Sequence, residues 1–386
     1  MSEMTDINQL GVTGMQALRA GDGNTAREKF EAIAAAGQAD ISVWIAIALS
    51  ARIQADWQGV AGAADRALNL EPRNLRALIL KGDALWNSGD KRGAASFYDL
   101  VGRLAPEGDG LPSEMAVELL RVRRLYESHK SELVHHIEAR LSALFGHRDG
   151  LSARFRQSLD LLAERKQRYI QQPRAFYYPE LPDIQFYEPS EFKWTDGLMA
   201  SSGAIQREFE AARADISAFV PYIHTTGNKP VNKDNPLIDS QDWTALFIQK
   251  DGVVMDRGSE RFANTLAALG GVPQEIIPAR GPSSLISRLA PKARIAAHVG
   301  FLNTRLTCHL PLEIPDDCGL RVGNETRAWR PDELLIFNDS IEHEAWNNSD
   351  RDRFVLIFQV WRPEISLEEQ TWISGVLQEI DTYFAG

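Results

Sequence analysis

The sequence predicts a two-domain α+β chain, in which an all-α array of helical repeats precedes a β-rich jelly roll. Three observations carry that expectation: a 34-residue recurrence early in the chain, a proline- and aromatic-rich break near residue 172, and short, turn-punctuated β segments after Arg294. With 386 residues, 44% of them apolar and 25% charged, the chain is long enough for two or three domains, each with its own core. The formal net charge of −11 argues against nonspecific binding to nucleic acid or to an anionic membrane surface. No apolar run approaches the ~20 residues of a membrane span; the longest, 41–49, is interrupted by Ser50 and Arg52. Residues 1–6 show neither a basic nor an apolar signal region, so a cytoplasmic protein without a membrane span is expected. Cys308 and Cys318 are too few for a disulfide framework or a thiolate zinc site and read as reduced, buried thiols.

The repeats come first. Residues 67–72 (ALNLEP) and 101–106 (VGRLAP) close similar phrases, and Pro72 and Pro106 are 34 residues apart, the period of tetratricopeptide (TPR) helix pairs. Framing the units as 7–40, 41–74 and 75–108 brings small residues to the places where paired helices cross. These are Gly14, Ala17 and Ala26 in the first unit, Ala48, Ala51, Ala64 and Ala67 in the second, and Gly82 and Ala94 in the third. Such units bury their apolar faces only against neighbours, so helices over 113–128 and 131–145 are expected to cap the array. The array is expected to hold a peptide in its groove; a purely stabilising appendage is the competing reading. Arg121, Arg123, Arg124 and the adjacent His135 and His136 read as solvated helix faces, since neighbours on a helix point ~100° apart.

One more helix is expected over 151–170. The segment 173–182 (PRAFYYPELP) is then extended by its prolines, which places the domain boundary at 1–172 and 173–386. Helices over 190–200 and 203–219 precede the strands. From Arg294 on, turn signals at 315–319, 330–333 and 347–350 separate short strands, a spacing that suits a sandwich or jelly roll. Residues 303–312 alternate: Asn303, Arg305, Thr307 and His309 share one face, and Leu306, Cys308 and Leu310 the other. Turned inward, the polar face would line a cavity. A hairpin centred on Asn348 would set His343 opposite Arg353, with Cβ atoms ~5 Å apart; a surface cross-strand pair is the alternative.

Residues 298–310 (HVGFLNTRLTCHL), 323–326 (GNET) and 335–346 (LIFNDSIEHEAW) together resemble the aspartyl/asparaginyl β-hydroxylase family, a branch of the Fe(II)/2-oxoglutarate oxygenases. The resemblance covers roughly 172–363, and members of the family often carry TPR-like repeats upstream. It implies a double-stranded β-helix with Fe(II), 2-oxoglutarate as cosubstrate and O2. His298 and His343 fall on its two iron ligands. Most of the wider superfamily adds a carboxylate two residues after the first histidine; Gly300 stands there, as in this branch. Ser287 and Arg353 match the pair holding the distal carboxylate of 2-oxoglutarate, a task that suits a guanidinium fork. His309 matches a residue near the chelating end of the cosubstrate, and Arg305 one that receives a substrate carboxylate.

Two departures weaken the substrate side of that resemblance. Thr307 and Ile238 stand where animal members carry arginines. The expected activity is hydroxylation of an unactivated carbon, the β-carbon of an Asp- or Asn-type residue in a peptide or protein held by the repeats. The alternatives are a small-molecule or lipid-type substrate, an inactive jelly roll on a TPR scaffold, or a zinc hydrolase, for which no third protein ligand is evident. Asp339, Glu342 and Glu344 receive no catalytic role.

Overall fold

The computed structural model describes residues 2–105, 112–146, 150–225, 236–255 and 258–385. The chain forms two compact units, Met1–Arg165 and Lys166–Gly386. The division falls before residue 172 because the stretch between already bonds into the second unit: Gln171 Nε2 donates to the Leu181 carbonyl (2.8 Å) and the Gln172 N–H to that of Ser340 (2.7 Å).

In the first unit, α1 (Ser2–Arg19) pairs with α2 (Gly23–Ala35), α3 (Ile41–Ile53) with α4 (Trp57–Leu70), and α5 (Leu75–Asn87) with α6 (Lys91–Leu104). The 34-residue period is written in the helix starts. Asp22, Asp56 and Asp90 recur at that spacing, as do Asp40 and Asn74, and each side chain accepts the backbone N–H three residues on. Gly82 shows why a small residue recurs at the crossings, for a Cβ there would lie 2.4 Å from the Tyr98 ring. Ala48 and Ala64, equivalent by the same period to Gly82 and Tyr98, are wholly buried. Pro106, the expected close of the third unit, lies outside the described residues.

Three expectations need correction here. The cap is one continuous helix, α7 (Ser113–Phe145), because 129–131 contain no helix breaker. The helix expected over 151–170 is α8 (Ala153–Leu162) only: Glu164 turns to a φ of 50° and the Arg165 N–H returns to the Asp160 carbonyl, closing the last turn. Arg121 is no solvated bystander. Its guanidinium bonds both oxygens of buried Asp83, which also accepts from the Tyr98 hydroxyl (2.7 Å).

In the second unit, one sheet contains β1 (Phe186–Tyr187), β2 (Val220–Pro221), β3 (Trp243–Lys250), β4 (Val253–Val254), β5 (Ser284–Leu289), β7 (Arg305–Glu313), β10 (Leu335–Phe337) and β12 (Arg353–Trp361), in the order β1-β10-β7-β12-β5-β3-β2, with β4 beside β3. The other contains β6 (Arg294–His298), β8 (Cys318–Val322), β9 (Glu325–Arg327) and β11 (His343–Asn347), in the order β6-β11-β8-β9. From β5 to β8, and again from β10 to β12, the antiparallel chain alternates between sheets, which is the winding of a jelly roll.

Alternation along β7 sorts its residues as the sequence suggests. Leu306, Cys308 and Leu310 pack outward with Leu198, Ile205, Phe209 and Leu269 from α9 (Thr195–Ala200), α10 (Ser202–Arg213) and the pair α11 (Gly258–Arg261) and α12 (Ala263–Gly270). The expected helix over 203–219 ends at Arg213, and Ile216–Ala218 is a separate 3-10 turn. Between the sheets, Leu289, Val355 and Ile357 meet Ile295, Leu320, Val322 and Ala345. The last helix, α13 (Leu367–Ala385), seats Ile373 and Leu377 against Leu302, Trp361 and Ile365. Among the described residues no helix is long and apolar enough to cross a membrane.

Candidate active site

His298 ends β6 and His343 begins β11, and the strand register sets them directly opposite one another. Their ring centroids are 4.1 Å apart at 51°. Each ring is oriented by its own backbone: Nδ1 of His298 bonds the Ala296 carbonyl (2.8 Å) and Nδ1 of His343 the Ile341 carbonyl (3.0 Å). A carbonyl can only accept, so Nδ1 carries the proton and each Nε2 keeps a lone pair, the tautomer a metal ligand needs. Burial pushes both imidazoles toward the neutral form, His298 downward from its ordinary value and His343, with His298 beside it, to about 3.

The hairpin expected between His343 and Arg353 does not form. β11 and β12 belong to different sheets, so His343 pairs with His298 and Val322 while Arg353 pairs with Leu289. The two are linked instead through an aromatic wall. Phe337 lies 5.6 Å from His343 and 5.0 Å from His309. His309 stacks on Trp329 and receives its indole N–H (3.3 Å), and the Arg353 guanidinium carbon lies 4.9 Å from the centre of the Trp329 ring. Ser287 sits on β5 opposite Val355, on the same face as Arg353 and one pair along; its hydroxyl accepts from the Trp243 indole (3.1 Å).

Arg353 is the electrostatic anomaly. It is 1% exposed, and among the described residues its Nε and Nη1 have no hydrogen-bond partner. Burial pulls its pKa down to about 10. An unpaired buried cation is costly, and the site that tolerates one is shaped for an anion. The neighbouring His309 is held well below its usual value by burial and then by the Arg353 charge, so it stays neutral.

Sequence reasoning passed over Asp339. Its carboxylate lies against Gly300, where an added Cβ would fall 2.6 Å from its Cγ, and the Gly300 N–H donates to the Asp339 carbonyl (2.7 Å). Asp339 thus fills the space beside Gly300, and any side chain at position 300 would collide with it. Burial raises its pKa against the opposing charge of Arg305, and its Oδ1 has no partner. The glycine two residues after His298, together with an aspartate four before His343, was the available signal. Glu342 and Glu344 pair with Arg321, away from any such role. Arg305 faces inward, but its Nη1 already bonds Glu275 (2.9 Å). Asn303 is spent on structure, holding Tyr178 through two bonds. Among the described residues no three His, Cys, Asp or Glu side chains group into a metal site.

Residues 200–363 match the family pattern for aspartyl/asparaginyl beta-hydroxylase. Over these residues the second unit is similar to the aspartyl/asparaginyl β-hydroxylase family. Relatives of this unit include aspartate beta-hydroxylase domain-containing protein 2 of Xenopus tropicalis, 28% identical over 221 residues, 56% of this chain and 55% of that protein. Human aspartyl/asparaginyl beta-hydroxylase is 31% identical over 145 residues, 37% of this chain and 19% of that protein. The ornithine lipid ester-linked acyl 2-hydroxylase of Rhizobium tropici is 28% identical over 192 residues, 48% of this chain and 63% of that protein. The chain spans about half the length of the first of these relatives. Among solved structures, PcrH from Pseudomonas aeruginosa overlaps 33% of this chain and 93% of its own at 17% identity, with a TM-score of 0.29.

Proposed function

We propose that the second unit of this protein is an Fe(II)- and 2-oxoglutarate-dependent oxygenase that hydroxylates an unactivated carbon of an Asp- or Asn-type residue in a peptide or protein. The observation that carries the reading is the pairing of two imidazoles with free Nε2 atoms and, behind them across one aromatic wall, a buried arginine with no anion of its own.

The donor set fits the metal and the cosubstrate. His298 and His343 would hold Fe(II) through Nε2, leaving its remaining positions to small ligands. When bound, iron with 2-oxoglutarate and O2 supplies oxidising power for the C–H bond, and the oxo acid leaves as succinate and CO2. Arg353 and Ser287 would receive the distal carboxylate, and the buried position of Arg353 makes that bond charge-assisted and shielded from water. His309, kept neutral and oriented by Trp329, presents its other ring nitrogen as a donor toward the cosubstrate. Phe337 and Trp329 exclude water between the two anchors. Asp339 fills the space beside Gly300.

The TPR-like unit supports a peptide or protein substrate, since arrays of this kind offer a concave face to extended or helical segments. A second reading is favoured by the Rhizobium tropici relative, whose name assigns it to an acyl chain; on that reading the repeats serve stability and the substrate is a lipid or small molecule. Aerobic incubation of the full chain with Fe(II), ascorbate and 2-oxoglutarate is expected to release succinate slowly without substrate and to stop when EDTA is added. Failure of the full chain to make succinate in a metal-dependent way contradicts the proposal.

A further inference from the structure

Two arginines face the space between the sheets, and their surroundings differ sharply. Among the described residues Arg353 has no anionic partner. Arg305 has one supplied by the protein: Glu275, 4% exposed, takes the Arg305 Nη1 (2.9 Å) on one oxygen and the Thr304 hydroxyl (3.3 Å) on the other. Glu275 lies in the loop between α12 and β5, and that loop is pinned on both sides of it, by the bridge of Gln274 to Val360 and by the bonds between Ile277 and Gly281. The carboxylate is therefore delivered by rigid backbone and does not wander onto Arg305 by chance. Asp339 adds a second negative charge within electrostatic reach of the same guanidinium. The two further positions where arginines were expected hold neutral Thr307 and Ile238.

A substrate carboxylate arriving here would have to displace Glu275 from a buried ion pair and then lie beside the charges of Glu275 and Asp339. Breaking such a pair is costly, because the displaced charge stays buried. A neutral amide meets none of these obstacles, and the polar atoms left over match it. Among the described residues Arg305 Nε is a buried donor without a hydrogen-bond partner, and beside it the Thr307 hydroxyl and the Asp339 carboxylate face one another. A primary carboxamide offers one acceptor and two donors. An acyl chain would leave the Arg305 Nε unsatisfied.

We propose that Glu275 determines specificity: by holding Arg305 it selects a substrate with an uncharged side-chain amide at that point and rejects the corresponding carboxylate. The inference rests on the iron and 2-oxoglutarate reading above, and the two fail separately.

The test uses the full chain loaded anaerobically with Fe(II) and 2-oxoglutarate, titrated with the matched peptides Ac-Gly-Asn-Gly-NH2 and Ac-Gly-Asp-Gly-NH2 and, as a lipid-type arm, N-decanoylglycine amide, while the visible absorption of the iron complex is followed. The wild-type protein is expected to bind the Asn peptide at least about tenfold more tightly than the Asp peptide. Glu275→Gln, which keeps the shape and removes the charge, is expected to shift that ratio at least about tenfold toward Asp, and a second substitution, Arg305→Gln, to take the gain away. Equal or better binding of the Asp peptide by the wild-type protein overturns the proposal, and needs no variant to fold. So does an unchanged ratio in Glu275→Gln, or a response to the decanoyl probe alone. Absence of any absorption before a peptide is added counts against the iron reading instead.

Discussion

Replacing His298 or His343 by alanine is expected to cut succinate production at limiting iron by at least about 100-fold, since loss of a mere outer-shell partner of a metal ligand already costs up to about that much. The reason is arithmetic in the ligands: two imidazoles face one another, and no third His, Cys, Asp or Glu joins them in a metal-holding group among the described residues. Removing either leaves the metal on a single protein nitrogen. The fold should survive, because His298 and His343 lie at strand ends and their Nδ1 bonds are to carbonyls within two residues. Excess Fe(II) should restore part of the lost turnover, since the defect is one of affinity. Succinate release at the wild-type rate from either variant, measured at limiting iron with an unchanged circular dichroism spectrum, contradicts the assignment.

Arg353→Ala is expected to raise the concentration of 2-oxoglutarate needed for half-maximal turnover more than tenfold, since losing a buried, charge-assisted carboxylate partner costs about 2 kcal/mol. Lysine should recover only part of this, because it lacks the planar fork. The same residue makes a second, opposite expectation. Arg353 is a buried cation without a partner in the ligand-free protein, so Arg353→Met should raise the melting temperature while 2-oxoglutarate binding falls. A structural arginine would lower both. Steady-state titration of 2-oxoglutarate beside a thermal melt separates the two roles.

Local regularity explains what was legible in the sequence. The repeats could be read because Pro72 and Pro106 and the small residues at the helix crossings recur at 34, a period that the caps Asp22, Asp56 and Asp90 also keep. Strand β7 could be read because a half-polar strand obeys a period of two, so Leu306, Cys308 and Leu310 necessarily face away from Thr307 and His309. The link between β11 and β12 could not. A turn rich in Asn, Ser and Asp looks the same whether the chain returns beside itself or steps across to the opposite sheet, and here it steps across. Glu275 and Trp329 were equally invisible. They come from connecting segments whose approach to Arg305 and His309 is set by tertiary packing, with no spacing rule to announce it. The helix expected to reach Ile170 shows the converse, a periodic segment ended by one residue in a left-handed conformation.

If His298 and His343 hold iron while Arg353 anchors 2-oxoglutarate across the same site, anaerobic addition of Fe(II) and then 2-oxoglutarate to the full chain should assemble a coloured complex. A weak visible charge-transfer band is expected that needs both additions, disappears in His343→Ala at limiting iron, and requires more 2-oxoglutarate in Arg353→Ala. A wild-type protein that shows no such band, or binds iron without responding to 2-oxoglutarate, contradicts that arrangement.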